Sequence, residues 1–344
     1  MTPRQFTIEG ERGQLLLVGA VVLATVILGL AIVTNSVLFT ENTGSGEIGV
    51  ESAVIDEFDY EVQRSTQSIL LQLNHNERNI TWSDLNGTVR TNVHNYSNLL
   101  SRSYATAGTV YVDARYTRTI HNGTRIVQRV DRAFTYNESH ATTVLSDQPD
   151  WTVVQSSDRA DVGWAALNVD LRNTSGEQAE IVFDNGTESL TYQFNRSKDG
   201  QGSNLSVSVD SSWAGELSNT DCQSVGGRVL VDLREGNGFF DDCTFTRIDR
   251  LTAPYDIEIS DGDRLVGQYE LVVNQTWQDS GSPIEASLPA LGLGTAAYPD
   301  CAESGVQPPC LSPVVWEGQI SLTYQSTTAS YASTRNISVY GGDT

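Results

Sequence analysis

A long apolar run near the start of the chain is its most pronounced hydrophobic feature. The run from Leu15 to Val33 covers 19 residues, and no charged residue occurs between Arg12 and Glu41. As a helix it would be about 28 Å long, close to the ~30 Å hydrocarbon core of a bilayer. A secretory signal has a shorter apolar region, of roughly 7–15 residues, followed by a small-x-small cleavage site. The run therefore predicts a transmembrane helix over residues 14–40, with a buried core helix as the alternative.

Basic residues flank this run on one side only. Arg4 and Arg12 precede it, and the next basic residue is Arg64. Because cytoplasmic flanks are enriched in Lys and Arg, the asymmetry predicts a single-pass protein of the cell membrane, with a cytoplasmic N-terminus and an extracellular bulk. The lipid bilayer is thus an expected partner, bound through Leu15 to Val33.

A first helical pattern runs from about Glu47 to Leu73. Apolar residues recur every seven positions and two others join the same stripe: Ile48, Ile55, Val62 and Ile69, with Phe58 and Leu73. Such a stripe predicts a helix that packs either on its own domain or on a partner chain.

A second helical pattern has apolar residues three or four positions apart: Trp82, Leu85, Val89, Val93, Tyr96 and Leu100. Thr81, three residues before Asp84, can cap its start, and Gly108 marks its end. We expect this helix to pair with the preceding one, so that residues 41–107 form a helical stalk.

From Thr109 onwards the hydrophobic period changes to two. Alternation runs from Val110 to Tyr116 and resumes at Ile126 after Asn122-Gly123, which predicts a β-hairpin over residues 108–140. Further alternating runs are separated by turn residues: Trp164 to Leu171, Gln178 to Phe183, Leu205 to Val209, Arg228 to Leu233, Tyr255 to Ile259, Gly267 to Val273 and Ile320 to Tyr324. These runs predict a β-rich domain over residues 141–344, with Ser280 to Pro313 as a long loop.

The predicted fold class is therefore α+β. It comprises a single N-terminal transmembrane helix, a short helical stalk and a mainly antiparallel, β-sandwich-like extracellular region.

The composition is strongly acidic. Asp plus Glu total 43 against 21 Lys plus Arg, a formal net charge of −22, and Lys198 is the only lysine. Such a surface repels phosphate backbones, so we expect no nucleic-acid partner. Scattered carboxylates with almost no lysine resemble proteins of salt-loving archaea, in which concentrated ions screen self-repulsion. An acidic ligand-binding surface is the alternative.

Eleven Asn-x-Ser/Thr sequons follow the apolar run, against about four expected by chance from the Asn, Ser and Thr content. They predict a glycosylated outer surface, and turn chemistry in a β protein is the alternative. The predicted acceptors are Asn79, Asn86, Asn95, Asn122, Asn137, Asn173, Asn185, Asn195, Asn204, Asn274 and Asn336.

The four cysteines also lie after the apolar run. Pairing Cys222 with Cys243 and Cys301 with Cys310 closes short loops, although four cysteines allow three connectivities. A four-cysteine zinc site is the alternative, but the chain has no Cys-x-x-Cys knuckle. We therefore expect disulfides, in keeping with an extracellular location.

Motifs that carry chemistry are few. The histidines are dispersed and expected at the surface, without an HExxH motif: His75, His94, His121 and His140. Neither Asp241-Asp242 with Glu235 nor Asp261-Gly262-Asp263 fits a calcium loop, and the second predicts a hairpin turn. No Gly-x-Ser-x-Gly elbow or nucleotide-binding loop occurs, so we expect no enzymatic activity, no cofactor and no metal.

The residues around Arg12 carry a resemblance to a known family. The sequence Arg12-Gly13-Gln14, continuing as LLLVGA and followed later by Phe39-Thr40-Glu41-Asn42, resembles haloarchaeal type IV pilin-like membrane proteins of unknown function. The resemblance implies that residues 1–13 are a class III leader, cut after Gly13 by a prepilin peptidase. It also implies other pilin-like subunits as partners.

One position departs from the pilin pattern. Pilin-type helices often carry a glutamate where this chain has Val18. Two functions are therefore expected: a pilin-like structural or adhesive subunit, meaning a minor pilin or pseudopilin, or a membrane-anchored extracellular binding or envelope protein that does not polymerise.

Overall fold

The structure is a computed structural model. It describes residues 47–76, 81–136, 148–155, 160–199, 202–240, 243–276, 285–288, 293–298, 300–301 and 309–340. The predicted leader, its cleavage site and the apolar run from Leu15 to Val33 lie outside these residues. No helix within them is both long and apolar enough to cross a membrane.

The chain divides into two compact units, Met1–Tyr60 and Glu61–Thr344. The division falls inside helix α1, which extends over Glu47–Asn76. Of the first unit, only the part of α1 that begins at Glu47 is described. The second unit contains the rest of α1, helix α2 (Trp82–Ala107) and all described strands.

Fifteen strands are found in the described residues. They are β1 (Tyr111–Ala133), β2 (Trp151–Gln155), β3 (Val162–Asp170), β4 (Ala179–Asp184), β5 (Ser189–Asp199), β6 (Gly202–Ser211), β7 (Gly215–Gln223), β8 (Arg228–Asp232), β9 (Asn237–Gly238), β10 (Asp256–Ser260), β11 (Val266–Val273), β12 (Glu285–Leu288), β13 (Leu293–Ala297), β14 (Cys310–Gln325) and β15 (Ser330–Ser338).

These strands form two antiparallel sheets. One has seven strands in the order β15-β14-β1-β11-β3-β8-β9, and the other has eight in the order β13-β12-β2-β10-β4-β5-β6-β7. Both sheets contribute to one hydrophobic core, in which Leu167 and Leu271 of the first sheet join Phe183 and Tyr192 of the second. The prediction of a mainly antiparallel, β-sandwich-like region is therefore confirmed.

The predicted alternating runs all fall on strands, but several strands were missed. The edge strands β7 and β15 and the inner strand β5 are rich in Ser, Thr and Asn. An edge strand pairs with a neighbour along only one of its two edges, and polar residues are common there. Its alternation of apolar and polar residues is therefore weak. The predicted loop from Ser280 to Pro313 is also partly wrong, because β12, β13 and the start of β14 lie within it.

The predicted hairpin over residues 108–140 is wrong. Strand β1 runs without a turn from Tyr111 to Ala133 and pairs with β14 along most of its length. Asn122 and Gly123 lie inside the ladder, opposite Val315 and Val314, next to a register irregularity. A Cβ at Gly123 would lie 2.6 Å from the Val273 carbonyl oxygen, so this glycine serves a close backbone approach.

Asp261-Gly262-Asp263 is a turn, but it does not form the predicted hairpin. Asp261 has a left-handed backbone conformation and precedes a single 3-10 turn, Gly262–Arg264. The flanking strands β10 and β11 belong to different sheets. The segment therefore connects the two layers of the sandwich. By contrast, Asn185-Gly186 does form the hairpin turn between β4 and β5, with Gly186 at φ 83°.

Helix α2 follows its prediction closely. The Thr81 hydroxyl accepts a hydrogen bond from the Asp84 backbone N–H, and Gly108 donates its N–H to the Tyr104 carbonyl at the other end. The apolar positions Leu85, Val89, Val93 and Leu100 are buried. The spacing of three and four residues therefore identifies the buried face correctly.

The predicted boundary between a stalk and the β region does not exist. The buried Ser97 hydroxyl of α2 accepts from the Ala114 N–H of β1 and donates to the Asp113 carboxylate, at 2.8 and 3.0 Å. Tyr104 of α2 packs edge-on against Tyr324 of β14. Helix α2 is therefore a layer on the seven-stranded sheet, because its apolar face needs a surface to cover it.

The buried stripe of α1 differs slightly from the heptad prediction. Phe58, Val62 and Leu73 are buried as expected, whereas Ile55 and Ile69 are half-buried and Leu70 takes an inner position. A straight helix repeats every 3.6 residues, so a strict seven-residue spacing drifts off its buried face. The Tyr96 phenol of α2 faces Ser65 of α1, which is in keeping with the predicted pairing of the two helices. Burial at this contact raises the pKa of the phenol.

Both disulfides join the cysteines that are neighbours along the chain. Cys222 of β7 is bonded to Cys243, and Cys301 is bonded to Cys310 at the start of β14. The second disulfide packs on Val127 of β1. Of the three possible connectivities, the one that closes short loops is therefore present, and the cysteines do not form a zinc site.

Asp170 organises the turn that follows β3. Its nearly buried carboxylate accepts hydrogen bonds from the Arg172 backbone and guanidinium and from the Asn173 side chain. The Arg172 guanidinium beside it lowers the pKa of Asp170 from 3.8 to about 2. The ionised carboxylate therefore stabilises this turn at neutral pH.

We expect the Gly123→Ala substitution to destabilise the fold by about 1–3 kcal/mol, because the new Cβ would collide with backbone. Gly87→Ala is the control. Gly87 lies inside α2, and a Cβ there would have no described neighbour within 4 Å outside its own helix backbone. Alanine should stabilise that helix by roughly 0.5–1 kcal/mol. Chemical denaturation of both variants measures the difference. A Gly123→Ala variant as stable as the parent would contradict the close approach.

The Asp170→Asn variant should be less stable than the parent at pH 7. The folded-state pKa is lowered, so the stabilisation is present above the ordinary value of 3.8 and is lost as pH falls through about 2. Denaturation curves over this pH range should show the difference between variant and parent shrinking. For the surface residue Asp263, the substitution to Asn should give a small difference. An Asp170→Asn difference that does not change with pH would disprove the assignment.

Candidate functional site

The C-terminal end of α1 is held on the seven-stranded sheet by a buried asparagine. The Asn74 side chain donates to the Val315 carbonyl at 2.8 Å and accepts from the Val315 N–H at 2.9 Å. Its exposed fraction is 2%. The two bonds satisfy backbone groups of β14 that would otherwise be buried without a partner on this side.

A fully buried arginine completes this contact. Arg125 of β1 donates from Nε to the Ser312 hydroxyl at 2.9 Å and from its guanidinium to the Asn74 carbonyl. The Glu270 carboxylate lies 4.0 Å from the same guanidinium. The Asn74 carbonyl is at the helix end, where backbone dipoles favour a positive charge. Arg125 thus joins α1, β1 and β14 through one side chain.

His75, the next residue of α1, lies between a carboxylate and a phenol. Its Nδ1 is in contact with Glu270 of β11, and its Nε2 lies 3.3 Å from the Tyr340 hydroxyl. Burial raises the pKa of the Tyr340 phenol, so it stays protonated and can donate to Nε2. The two ring nitrogens therefore face a carboxylate on one side and a phenol hydroxyl on the other.

Aromatic rings surround the imidazole. The Trp164 ring lies 4.9 Å from the His75 ring and the Tyr340 ring 5.9 Å from it, measured between centroids. Gly163 makes room for Tyr340, because a Cβ there would lie 2.4 Å from the Tyr340 Cβ. The position of the imidazole is therefore fixed by ring packing as well as by its two polar partners.

An open groove of about 520 Å³ begins at this histidine and runs over the outer face of the seven-stranded sheet. Because successive side chains of a strand point to opposite faces, the alternation along β3 shows which of its residues face the groove. Ala165 and Leu167 of β3 belong to the core between the sheets, so Trp164, Ala166 and Asn168 face outward. The residues that line the groove are Leu71, His75, Val127, Gln128, Arg129, Trp164, Ala166, Asn168, Leu230, Gln268, Tyr269 and Glu270.

The far end of the groove is a polar network. Arg228 of β8 makes two hydrogen bonds of 2.8 Å to the Asp131 carboxylate and one of 2.9 Å to the Asn168 side chain. Gln268 of β11 donates to Asp131 at 3.1 Å. Hydrogen bonds from Arg228 lower the pKa of Asp131, so this carboxylate is ionised at neutral pH. The charges at this end are paired with each other.

A second cavity, of about 500 Å³, lies beside the Cys222–Cys243 disulfide and is lined by Ser218, Thr244, Phe245, Thr246, Arg247, Asp249 and Arg250. Arg247 forms ion pairs there with Asp249 and Glu235. Glu235 therefore has an arginine partner, and the Asp241-Asp242 pair lies outside the described residues. Among the residues described, no three His, Cys, Asp or Glu side chains could hold a metal together.

The predicted glycosylation sites differ in accessibility. Asn95, Asn173 and Asn336 are exposed, Asn204 is buried, and Asn79 and Asn137 lie outside the described residues. The others are half-buried: Asn86, Asn122, Asn185, Asn195 and Asn274. Asn204 is poorly placed for a glycan in the folded chain, and occupancy of the remaining sites stays a prediction.

The structure separates the four histidines. His94 is exposed on α2, His121 is largely exposed beside Glu317, and His140 lies outside the described residues. Of the described histidines, His75 is the one that lines the groove, where it is half-buried rather than fully exposed. No local motif could have revealed it, because Glu270 and Tyr340 are 195 and 265 residues away along the chain.

No protein-family model, curated protein or solved structure matches the chain. The pilin-like resemblance therefore stays a prediction based on the residues around Gly13.

Removing the Asn74 side chain should cost more stability than removing an exposed asparagine. The Asn74→Ala variant leaves the Val315 N–H and carbonyl without their partner, which costs about 2–3 kcal/mol. Asn98 lies on the exposed face of α2, with its side-chain amide 3.1 Å from His94 of the same helix, and its substitution to Ala should stay within about 0.5 kcal/mol of the parent. Chemical denaturation compares them, and equal stabilities would show that the α1 contact is unimportant.

Proposed function

We propose that the chain is a pilin-like cell-surface subunit, a minor pilin or pseudopilin, anchored by its N-terminal apolar helix and presenting the β-sandwich outside the cell. Its role is structural or adhesive. The observation that carries the proposal is the way α1 ends. This helix begins shortly after the apolar run. Its last turn is held on the seven-stranded sheet by the hydrogen bonds of Asn74 and Arg125. The helix that follows the apolar run along the chain therefore ends as part of the domain that the proposal places outside the cell.

Three further features support an outer location. The two disulfides are typical of oxidising compartments. Exposed sequons occur on α2, on the β3–β4 turn and on the edge strand β15. The apolar run has positive charges on one side only. Each would be expected of a domain carried outside the membrane.

The second candidate is a membrane-anchored extracellular binding or envelope protein that does not polymerise. Val18 favours it, because a pilin-type glutamate is missing at that position. The open groove beside His75 favours it too, since a binding protein needs such a surface and a filament core does not. Both candidates share the anchor, the orientation and the disulfide-bonded domain, and they differ in assembly.

Mass spectrometry of the membrane-extracted protein tests processing. We expect a mature chain that starts at Gln14, and we expect a Gly13→Val variant to keep its leader because the residue before the cut no longer matches the class III pattern. Gly10→Val, three residues upstream in the same leader, is the control and should be cut normally. A native chain that starts at Met1 or Thr2 would remove the main support for a pilin-like subunit.

Shearing intact cells then separates the two candidates. Recovery of the Gln14 form in sheared filaments supports a subunit that assembles. Retention of all the protein in membranes supports the anchored, non-polymerising protein.

A further inference from the structure

We propose that the groove beside His75 binds a sugar unit of a neutral glycan, with Trp164 as the surface on which the sugar ring packs. The inference does not depend on assembly or on leader cleavage, because the groove is formed entirely by the second compact unit. It rests on the shape of the groove, the chemistry of its walls and the partners that its charged groups already have.

The groove has an apolar side suited to the C–H face of a sugar ring. Trp164 is half-buried, and its orientation is fixed by contacts with the rings of His75 and Phe239, at 4.9 and 6.4 Å. The small Ala166 side chain leaves space next to it, and Leu71 of α1 contributes an apolar wall. An indole held in place in this way binds a flat partner with little further loss of side-chain freedom.

Hydrogen-bonding groups lie further along the floor of the same groove. Asn168 and Gln268 present amides, and Glu270 presents a carboxylate. Amides offer donors and acceptors together, and carboxylates accept from two directions. A sugar hydroxyl is both donor and acceptor. A ring packed on Trp164 can therefore bond to Glu270 beside His75, while the next sugar unit of the glycan reaches Asn168 and Gln268 at the far end of the groove.

The charges around the groove do not favour an anion. Arg228 is paired with Asp131 through two hydrogen bonds, and Arg125 is buried against Asn74 and Ser312. Neither arginine lines the groove; the guanidinium that does is that of Arg129, and the lining also holds the carboxylate of Glu270. An incoming carboxylate or phosphate would therefore meet a site without excess positive charge on a protein whose net charge is −22.

Apolar and peptide ligands fit less well. A purely apolar ligand would strip water from Asn168, Gln268 and Glu270 without replacing their hydrogen bonds. An extended peptide usually adds to a free strand edge. Here the floor consists of β1, β11, β3 and β8, which are inner strands whose backbone groups already pair with neighbours.

The acidic composition strengthens the choice of a neutral ligand. It predicts a protein adapted to concentrated salt, in which ionic attraction is screened over ~3 Å at 1 M. Packing on an indole and hydrogen bonds between neutral groups do not depend on such long-range attraction. Binding to a neutral sugar should therefore persist in the salt that weakens binding to charged ligands.

Saturation-transfer difference NMR tests the proposal. The full-length protein is purified in a detergent without a sugar headgroup and probed with the methyl glycosides of neutral disaccharides built from glucose, galactose, mannose or N-acetylglucosamine, which are long enough to reach both ends of the groove. Methyl glucuronide is the charged probe. Trp164→Ala and Gln268→Ala alter the two ends of the groove. Trp213→Ala is the matched control, because Trp213 is exposed on the turn between β6 and β7 of the other sheet.

We expect at least one neutral glycoside to show transfer, with about tenfold weaker binding in Trp164→Ala and no change in Trp213→Ala. Gln268→Ala should also weaken binding while leaving thermal unfolding close to that of the parent, which separates loss of binding from loss of folding. Affinity for the neutral probe should stay within roughly twofold between about 1 M and 3 M salt.

Three results would overturn the proposal. One is a folded parent protein that shows no transfer to any neutral glycoside. Another is transfer that both groove variants retain in full. The third is binding of the glucuronide alone, weakening as salt rises, which would identify an anion site.

Discussion

The buried guanidinium of Arg125 is the contact on which the arrangement of helix and sheet depends. Its exposed fraction is 0%, and it bonds to a helix-end carbonyl and to a hydroxyl on the neighbouring strand. Isolated buried charges are costly, and this one has two acceptors and a carboxylate 4.0 Å away. In the same last turn of α1, Asn74 contacts β14 and His75 contacts β11. Within the described residues α1 ends at Asn76, and the groove begins there on the outer face of the sheet.

Strand β1 explains how one chain builds three layers. Its first part presents Val112, Ala114 and Tyr116 as buried residues on the side that α2 covers. Further along, Ile126 enters the core between the sheets while Arg125 and Val127 are buried on the opposite face. A strand covered on both faces loses the simple alternation of apolar and polar residues. That loss made residues 122–128 look like a turn followed by a new strand.

Much of the fold could be predicted because its signals are local. The cap at Thr81, the spacing of Leu85, Val89 and Val93, and most inner strands follow from short-range periodicity and turn chemistry. The polar edge strands β7 and β15 were missed because their many Ser, Thr and Asn residues weaken the alternation of apolar and polar positions. The groove could not be predicted for a different reason. Its main partners, His75 and Glu270, lie in separate parts of the sequence and meet only because β11 pairs with β1 under the end of α1.

The place where α1 meets the sheet also decides how the domain would respond to load. Arg125 and Val315 are interior residues of β1 and β14, with paired residues on both sides of each. A force applied through the helix would therefore act on the middle of the ladder, where several hydrogen bonds must give way together. A strand pulled by its end can be peeled open one bond at a time, whereas this attachment offers no free end to peel.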